Sequence, residues 1–182
     1  MKFTEQCIQG VWVIEPSVFS DDRGYFMESY KQSEFEKFAG KTNFIQDNES
    51  KSSRGVLRGL HYQTGEHAQA KLVRVIEGSV LDVAVDIRKS SPTFGKYVAV
   101  ELTAENKKQL FVPRGFAHGF VVLSETAIFT YKVDNIYAPN HEASIIWSDP
   151  TIGIDWGIAE EEILLSEKDK TGKLLSEAIL FE

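Results

Sequence analysis

Lys71-Leu72-Val73-Arg74-Val75-Ile76-Glu77-Gly78-Ser79-Val80-Leu81-Asp82-Val83-Ala84-Val85-Asp86-Ile87 is the stretch that decides the fold class. Lys71–Ile76 and Val80–Ile87 are short runs rich in Val and Ile, the composition of β-strands. Glu77-Gly78 between them predicts a hairpin turn, with Gly supplying the positive φ. Gly24–Tyr30, Lys96–Leu102 and Ala127–Val133 have the same character and are punctuated by Gly or Pro. Many short strands of this kind predict an all-β, mainly antiparallel sandwich or barrel. Helices are few: Ser33–Ala39, with Ser33 as N-cap and Phe35 and Phe38 on one face, and a second near Ala159–Ile163.

A chain of 182 residues, 42% hydrophobic and 12% aromatic, suffices for one substantial core. No fixed-period repeat or linker interrupts it, so one domain over residues 1–182 is expected. No run reaches the about 18 apolar residues of a membrane span, and Met1-Lys2-Phe3-Thr4-Glu5 leads into polar sequence rather than an apolar leader. A soluble, cytoplasmic protein is the expectation. Cys7 is the only cysteine, which rules out an internal disulfide. The net charge of −7 argues against broad binding to nucleic acid or anionic membrane, because both need a clustered basic surface. An anionic ligand would need a local basic pocket.

Outward from the opening stretch lies Arg58-Gly59-Leu60-His61-Tyr62-Gln63, then Gln69-Ala70-Lys71-Leu72-Val73-Arg74. An arginine, a histidine and a lysine on neighbouring β elements can converge on one anionic substrate. A cupin-type metal site would use a His-x-His doublet, a carboxylate and a later histidine, and no such doublet is present. His61 and His67 are six apart across polar, Gly-containing sequence, and His61 with His118 is the one pair that could meet inside a barrel. Metal binding is therefore disfavoured. His61 can serve as a general base, although taken alone it reads better as a barrel histidine satisfied by hydrogen bonds. Strict strand alternation turns Arg58 and His61 to opposite faces; a bulge at Gly59 would bring both inward.

Asp22–Phe26, Gln46–Ser50, Arg58–Gln63, Asp82–Arg88, Ser91–Gly95, Pro113–Phe120 and Ser166–Asp169 closely resemble, in this order, the dTDP-4-dehydrorhamnose 3,5-epimerase family. The likeness spans nearly the whole chain, departing in a loop where Gly157 rather than proline follows Trp156. It implies a cupin-like jelly-roll barrel, a homodimer, no metal and no organic cofactor. It implies further that the substrate is dTDP-4-dehydro-6-deoxyglucose, in dTDP-L-rhamnose biosynthesis. The resemblance makes His61 the proton acceptor, oriented by Asp169, and Tyr131 the proton donor. Lys71 would hydrogen-bond the C4 oxygen. Arg23, Arg58 and Lys168 match positions that hold the phosphates and sugar, with Glu28, Gln46, Asn48, His118 and Glu142 adding polar contacts and Tyr137 stacking on thymine.

The chemistry is coherent with those types of residue. A carbon beside a ketone yields its proton reluctantly, so a base must act together with a donor at the oxygen that becomes an enolate. Inversion then needs a second proton source on the opposite face. C3 and C5 both flank C4, so one enolate-stabilising site could serve both centres. Rival readings are a single-centre epimerase or ketoisomerase on a dTDP-4-keto sugar, a non-catalytic sugar-nucleotide binding module, and a metal-dependent cupin oxygenase. The binding module would keep Arg23, Arg58 and Tyr137 without the acid/base pair His61 and Tyr131.

Overall fold

The computed structural model describes residues 1–182. The strands, in chain order, are β1 (Lys2–Glu5), β2 (Trp12–Glu15), β3 (Val18–Asp21), β4 (Gly24–Met27), β5 (Gln46–Ser53), β6 (Leu57–Gln63), β7 (Lys71–Glu77), β8 (Ser79–Asp86), β9 (Tyr97–Thr103), β10 (Gln109–Val112), β11 (Phe116–Val122), β12 (Thr126–Val133) and β13 (Glu142–Ser144). One α-helix, α1 (Gln32–Ala39), sits between β4 and β5. A six-stranded sheet runs β1-β2-β10-β7-β12-β5, a five-stranded sheet runs β13-β6-β11-β8-β9, and β3-β4 forms a separate ribbon. Every pairing between these strands is antiparallel, and the two large sheets face each other as a cupin-like jelly roll.

Period-two alternation sorts the side chains. Val73 and Val75 of β7, Val80 and Ala84 of β8, Phe116, Phe120 and Val122 of β11, and Ala127 and Phe129 of β12 share the core between the sheets. Burying each of the larger ones contributes about 1.5–3 kcal/mol. Leu57, Leu60 and Tyr62 of β6, Val83 and Val85 of β8, and Ala117 and Val121 of β11 point the other way, under Ile145, Ile152, Trp156 and Leu175 from the chain after β13. The outer face of the six-stranded sheet is partly covered by α1, whose Phe35 meets Phe111 edge-on at 4.9 Å.

Three local expectations are corrected. Glu77-Gly78 is no hairpin, because β7 pairs with β10 and β12 whereas β8 pairs with β11 and β9. Gly78 does have a positive φ of 76°, but it carries the chain from one sheet to the other through a space where a Cβ would lie 2.0 Å from Thr126 O. Ser33 is not the N-cap of α1: Lys31 holds that position without a side-chain bond, and Ser33 falls in the first turn. The Ala159–Ile163 helix reduces to one 3-10 turn, Glu160–Glu162, a segment too short to offset the cost of nucleating an α-helix.

The bulge in β6 is present. His118 pairs with His61 and Phe120 with Arg58, so β6 spends three steps where β11 spends two. The extra residue lets Leu57 and Leu60 share the outer cluster, which turns Arg58 and His61 together toward the barrel interior. Gly59, at φ 137°, lies so close to β11 that a Cβ there would stand 2.5 Å from Gly119 Cα.

Candidate active site

Polar side chains gather at one end of the barrel because the inward positions there break the apolar alternation. They are Arg58 and His61 on β6, Lys71 on β7, Asp82 on β8, His118 on β11 and Tyr131 on β12. Asn48 and Ser52 of β5 lie directly opposite Tyr131 and Ala127 and so share their face. Arg58 spans the gap between the sheets, its Nε and Nη2 each donating to Ser52 Oγ at 3.2 Å.

Asp169 reaches this cluster from the 3-10 turn Asp169–Thr171, far along the chain. Its Oδ1 lies 2.7 Å from His61 Nε2, a close contact whose N–H is not aligned with that oxygen. The same Oδ1 accepts the Gly59 N–H at 3.1 Å, and Oδ2 accepts Ser166 Oγ–H at 2.6 Å. Burial alone would raise the Asp169 carboxyl; the contacts from His61, Ser166 and Gly59 outweigh it and hold it near 2. A buried carboxylate so placed engages His61 Nε2 and leaves Nδ1 to accept a proton.

Lys71 loses solvation among the sheets, which pulls its ammonium down to about 8 against the upward pull of Asp82 and Glu142. A lysine in that state is a strong hydrogen-bond donor that can follow charge on a substrate oxygen. Tyr131 is shifted upward by burial, partly opposed by Arg58, so its hydroxyl keeps its proton at neutral pH. His118 is buried, with Nε2 3.0 Å from both oxygens of Asp82. Burial pushes its imidazole toward the neutral form, with Asp82 acting in the opposite direction.

At the mouth, Glu142 on β13 pairs with Lys168 and accepts the Tyr137 hydroxyl at 3.1 Å. Gln46 donates to Asn48 Oδ1 at 2.8 Å on β5. Arg23 and Glu28 are not brought to this cluster within one chain. Arg23 projects from the β3-β4 ribbon, 89% exposed, with its guanidinium on Asp21 at 2.6 Å, and Glu28 faces Lys31 at 3.8 Å. The His67 ring lies 4.0 Å from that of His141, tilted by 40°, and no group of three or more His, Cys, Asp or Glu is assembled to hold a metal ion.

Asp82, Ser52 and Ser166 escaped the sequence reading. Asp82 carried a usable signal, being, with Asp86, one of two carboxylates on the same face of an otherwise apolar strand, and it is fully buried. Ser52 and Ser166 carried none, since short hydroxyl residues abound on surfaces.

With this geometry in hand, the chain can be set beside known proteins. A family model described as dTDP-4-dehydrorhamnose 3,5-epimerase matches residues 5–177. A dTDP-4-dehydrorhamnose 3,5-epimerase of Salmonella typhimurium is 57% identical over 96% of this chain and 96% of its own length. A solved structure of the enzyme of that name from Elizabethkingia anophelis superimposes with a TM-score of 0.93 at 55% identity, covering 97% of each chain. A dTDP-6-deoxy-D-glucose-3,5-epimerase of Legionella pneumophila, solved with dTDP-4-keto-L-rhamnose, gives 0.93 at 48% identity over 97% of this chain and 93% of that one. A jelly roll whose polar end joins a His-Asp pair to a lysine and a tyrosine, matched over nearly its whole length, belongs to the dTDP-4-dehydrorhamnose 3,5-epimerase family.

Proposed function

We propose that this protein is an isomerase that epimerises C3 and C5 of dTDP-4-dehydro-6-deoxyglucose, giving dTDP-4-dehydro-L-rhamnose in dTDP-L-rhamnose biosynthesis. The observation that carries the reading is the His61–Asp169 contact at the same polar end of the barrel as Lys71 and Tyr131. His61 takes the proton from the carbon beside the ketone, and the bonding pair moves into the ring as the C4 oxygen gains charge. Asp169 steadies the imidazolium that forms, and Lys71 donates to the C4 oxygen. Tyr131 returns a proton from the opposite face, which inverts the centre; the His61 imidazolium then releases its proton to solvent and the Tyr131 phenolate takes one up, which resets both groups. Repetition at the other carbon completes the reaction without any change of oxidation state.

Substrate anchoring divides by charge. Arg58 and Lys168 face the diphosphate and sugar, Asn48, Gln46, His118 and Glu142 add polar contacts, and Tyr137 stacks on thymine. A homodimer accounts for Arg23 and Glu28. The β3-β4 ribbon stands apart from both sheets and exposes Phe19, Tyr25 and Phe26, so in a dimer it would bury these rings while carrying Arg23 to a neighbouring site. The chain acts as one domain in the cytoplasm; no helix is long and apolar enough to cross a membrane. The test is incubation with dTDP-4-dehydro-6-deoxyglucose in deuterium oxide. Label should enter C3 and C5, and His61→Asn should stop both exchanges while still binding dTDP. Label at one carbon only would favour a single-centre epimerase; label at neither would refute the proposal.

A further inference from the structure

Gln63 lies two residues beyond His61 on β6, on the same inward side, and is 5% exposed. All of its amide's donors are spent on backbone. Nε2 donates to His67 O at 2.7 Å and to Ile136 O at 3.0 Å, while Oε1 accepts the Ala138 N–H at 2.7 Å. A glutamine amide has two N–H donors, and both find carbonyls, which also fixes the orientation of the group. Ile136 and Ala138 are the two neighbours of Tyr137. We propose that Gln63 is a positioning residue for the nucleotide base: its side-chain amide stands in for a peptide group and pins the backbone on both sides of Tyr137.

The loop around Tyr137 is held by scattered contacts, of which only those of Gln63 grip both residues flanking Tyr137. Its segment lies between β12 and β13 and joins no ladder. It is tied to the segment after β6 by side chains instead: Gln69 Nε2 donates to Asn135 O at 2.8 Å, and Asn135 Nδ2 to Glu66 O at 2.8 Å. Tyr137 is 57% exposed, and its hydroxyl donates to Glu142 at the edge of the polar cluster. A ring that must meet a flat base needs its backbone set beforehand, or the ordering opposes binding. His61, Lys71 and Tyr131 stand on strands, so loosening this loop should weaken capture of the nucleotide and spare the proton transfers.

The inference rests on Tyr137 being the base-stacking group, and the experiment separates the two. Gln63→Met keeps the volume and removes both polar functions. Its dTDP affinity by calorimetry should fall roughly 10-fold, the scale of one or two lost hydrogen bonds. KM should rise in parallel with kcat little changed, and inhibition by inorganic pyrophosphate, which has no base, should stay at the wild-type level. In a Tyr137→Ala background Gln63→Met should add nothing further. If Tyr137→Ala binds dTDP as wild type does, the stacking assignment falls and Gln63's role with it. If Tyr137→Ala binds weakly but Gln63→Met does not, or if pyrophosphate binding or kcat drops equally, Gln63 is not a positioning residue for the base. Should Gln63→Met fail to fold, Gln69→Met tests the same anchorage, since its Nε2 donates to Asn135 O at 2.8 Å and, more weakly, to the shared Ile136 O at 3.3 Å; about a 3-fold loss of dTDP affinity is expected, and unchanged affinity would overturn the proposal.

Discussion

Asp169→Asn removes one negative charge beside His61 with almost no change of volume. As His61 takes a proton from the sugar it becomes an imidazolium whose Nε2 is 2.7 Å from Asp169 Oδ1. With charge centres about 4 Å apart and an effective dielectric of about 20, the lost attraction is on the order of 4 kcal/mol. The asparagine dipole retains a fraction of that, and its carbonyl can still accept the Gly59 N–H. The chemical step should therefore slow by roughly 10²- to 10³-fold. Steady-state kcat and the rate of deuterium entry at C3 and C5 should fall together, with dTDP affinity and melting temperature recorded alongside. A kcat close to wild type in a folded variant would refute the idea that this carboxylate assists the base. Loss of dTDP binding in step with kcat would instead make Asp169 a structural support.

Three further outcomes follow. Because Lys71 is pulled to about 8, it is protonated below that pH and neutral above it, so kcat should decline as pH rises through about 8. Lys71→Arg should move that decline upward if it retains activity, and an unchanged alkaline limb would exclude Lys71 as its origin. Tyr131→Phe keeps the ring beside Phe129 and loses only the transferable proton, so label should still enter the substrate without full inversion; doubly inverted product at the normal rate would remove Tyr131 as donor. Burial pushes Asp86 up, but Arg88, Ser91 and Thr93 outweigh this and hold it at about 2. Against an unfolded value near 3.9, its contribution, on the order of 2–3 kcal/mol, is present above pH ~4 and lost as pH falls toward 2. The melting temperatures of wild type and Asp86→Asn should differ at neutral pH and converge near pH 2.

Strands β7, β8 and β12 were legible because buried β-branched runs announce themselves. Their partners were not, since pairing is decided between residues far apart in the chain. Glu77-Gly78 looked local and proved to be a crossing between sheets, as both flanking strands had better partners elsewhere. β5 is the opposite case: Gln46–Ser53 contains no apolar residue, yet β12 holds it over its full length. The site residues were legible through ordered motifs rather than through pattern. Alternation alone would have separated Arg58 from His61, and only the paired register of β6 and β11 shows the extra residue. Asp169 meets His61 through the turn that takes the Gly59 N–H, a contact no spacing rule anticipates.

The seam between Gly59 and Gly119 bears on redesign of the barrel for other sugars. A Cβ on Gly59 would strike Gly119 Cα at 2.5 Å, and one on Gly119 would strike Arg58 O at 2.7 Å and Gly59 Cα at 3.0 Å. Neither position can accept a side chain alone, and changing both makes the collision worse, so no compensating pair exists. The two glycines thus act as a single non-negotiable unit in any library. Diversity directed at Arg58, Ser52 or Tyr137 alters the shape of the chamber, whereas a methyl group at the seam would part β6 from β11 and carry the base away from every partner it has.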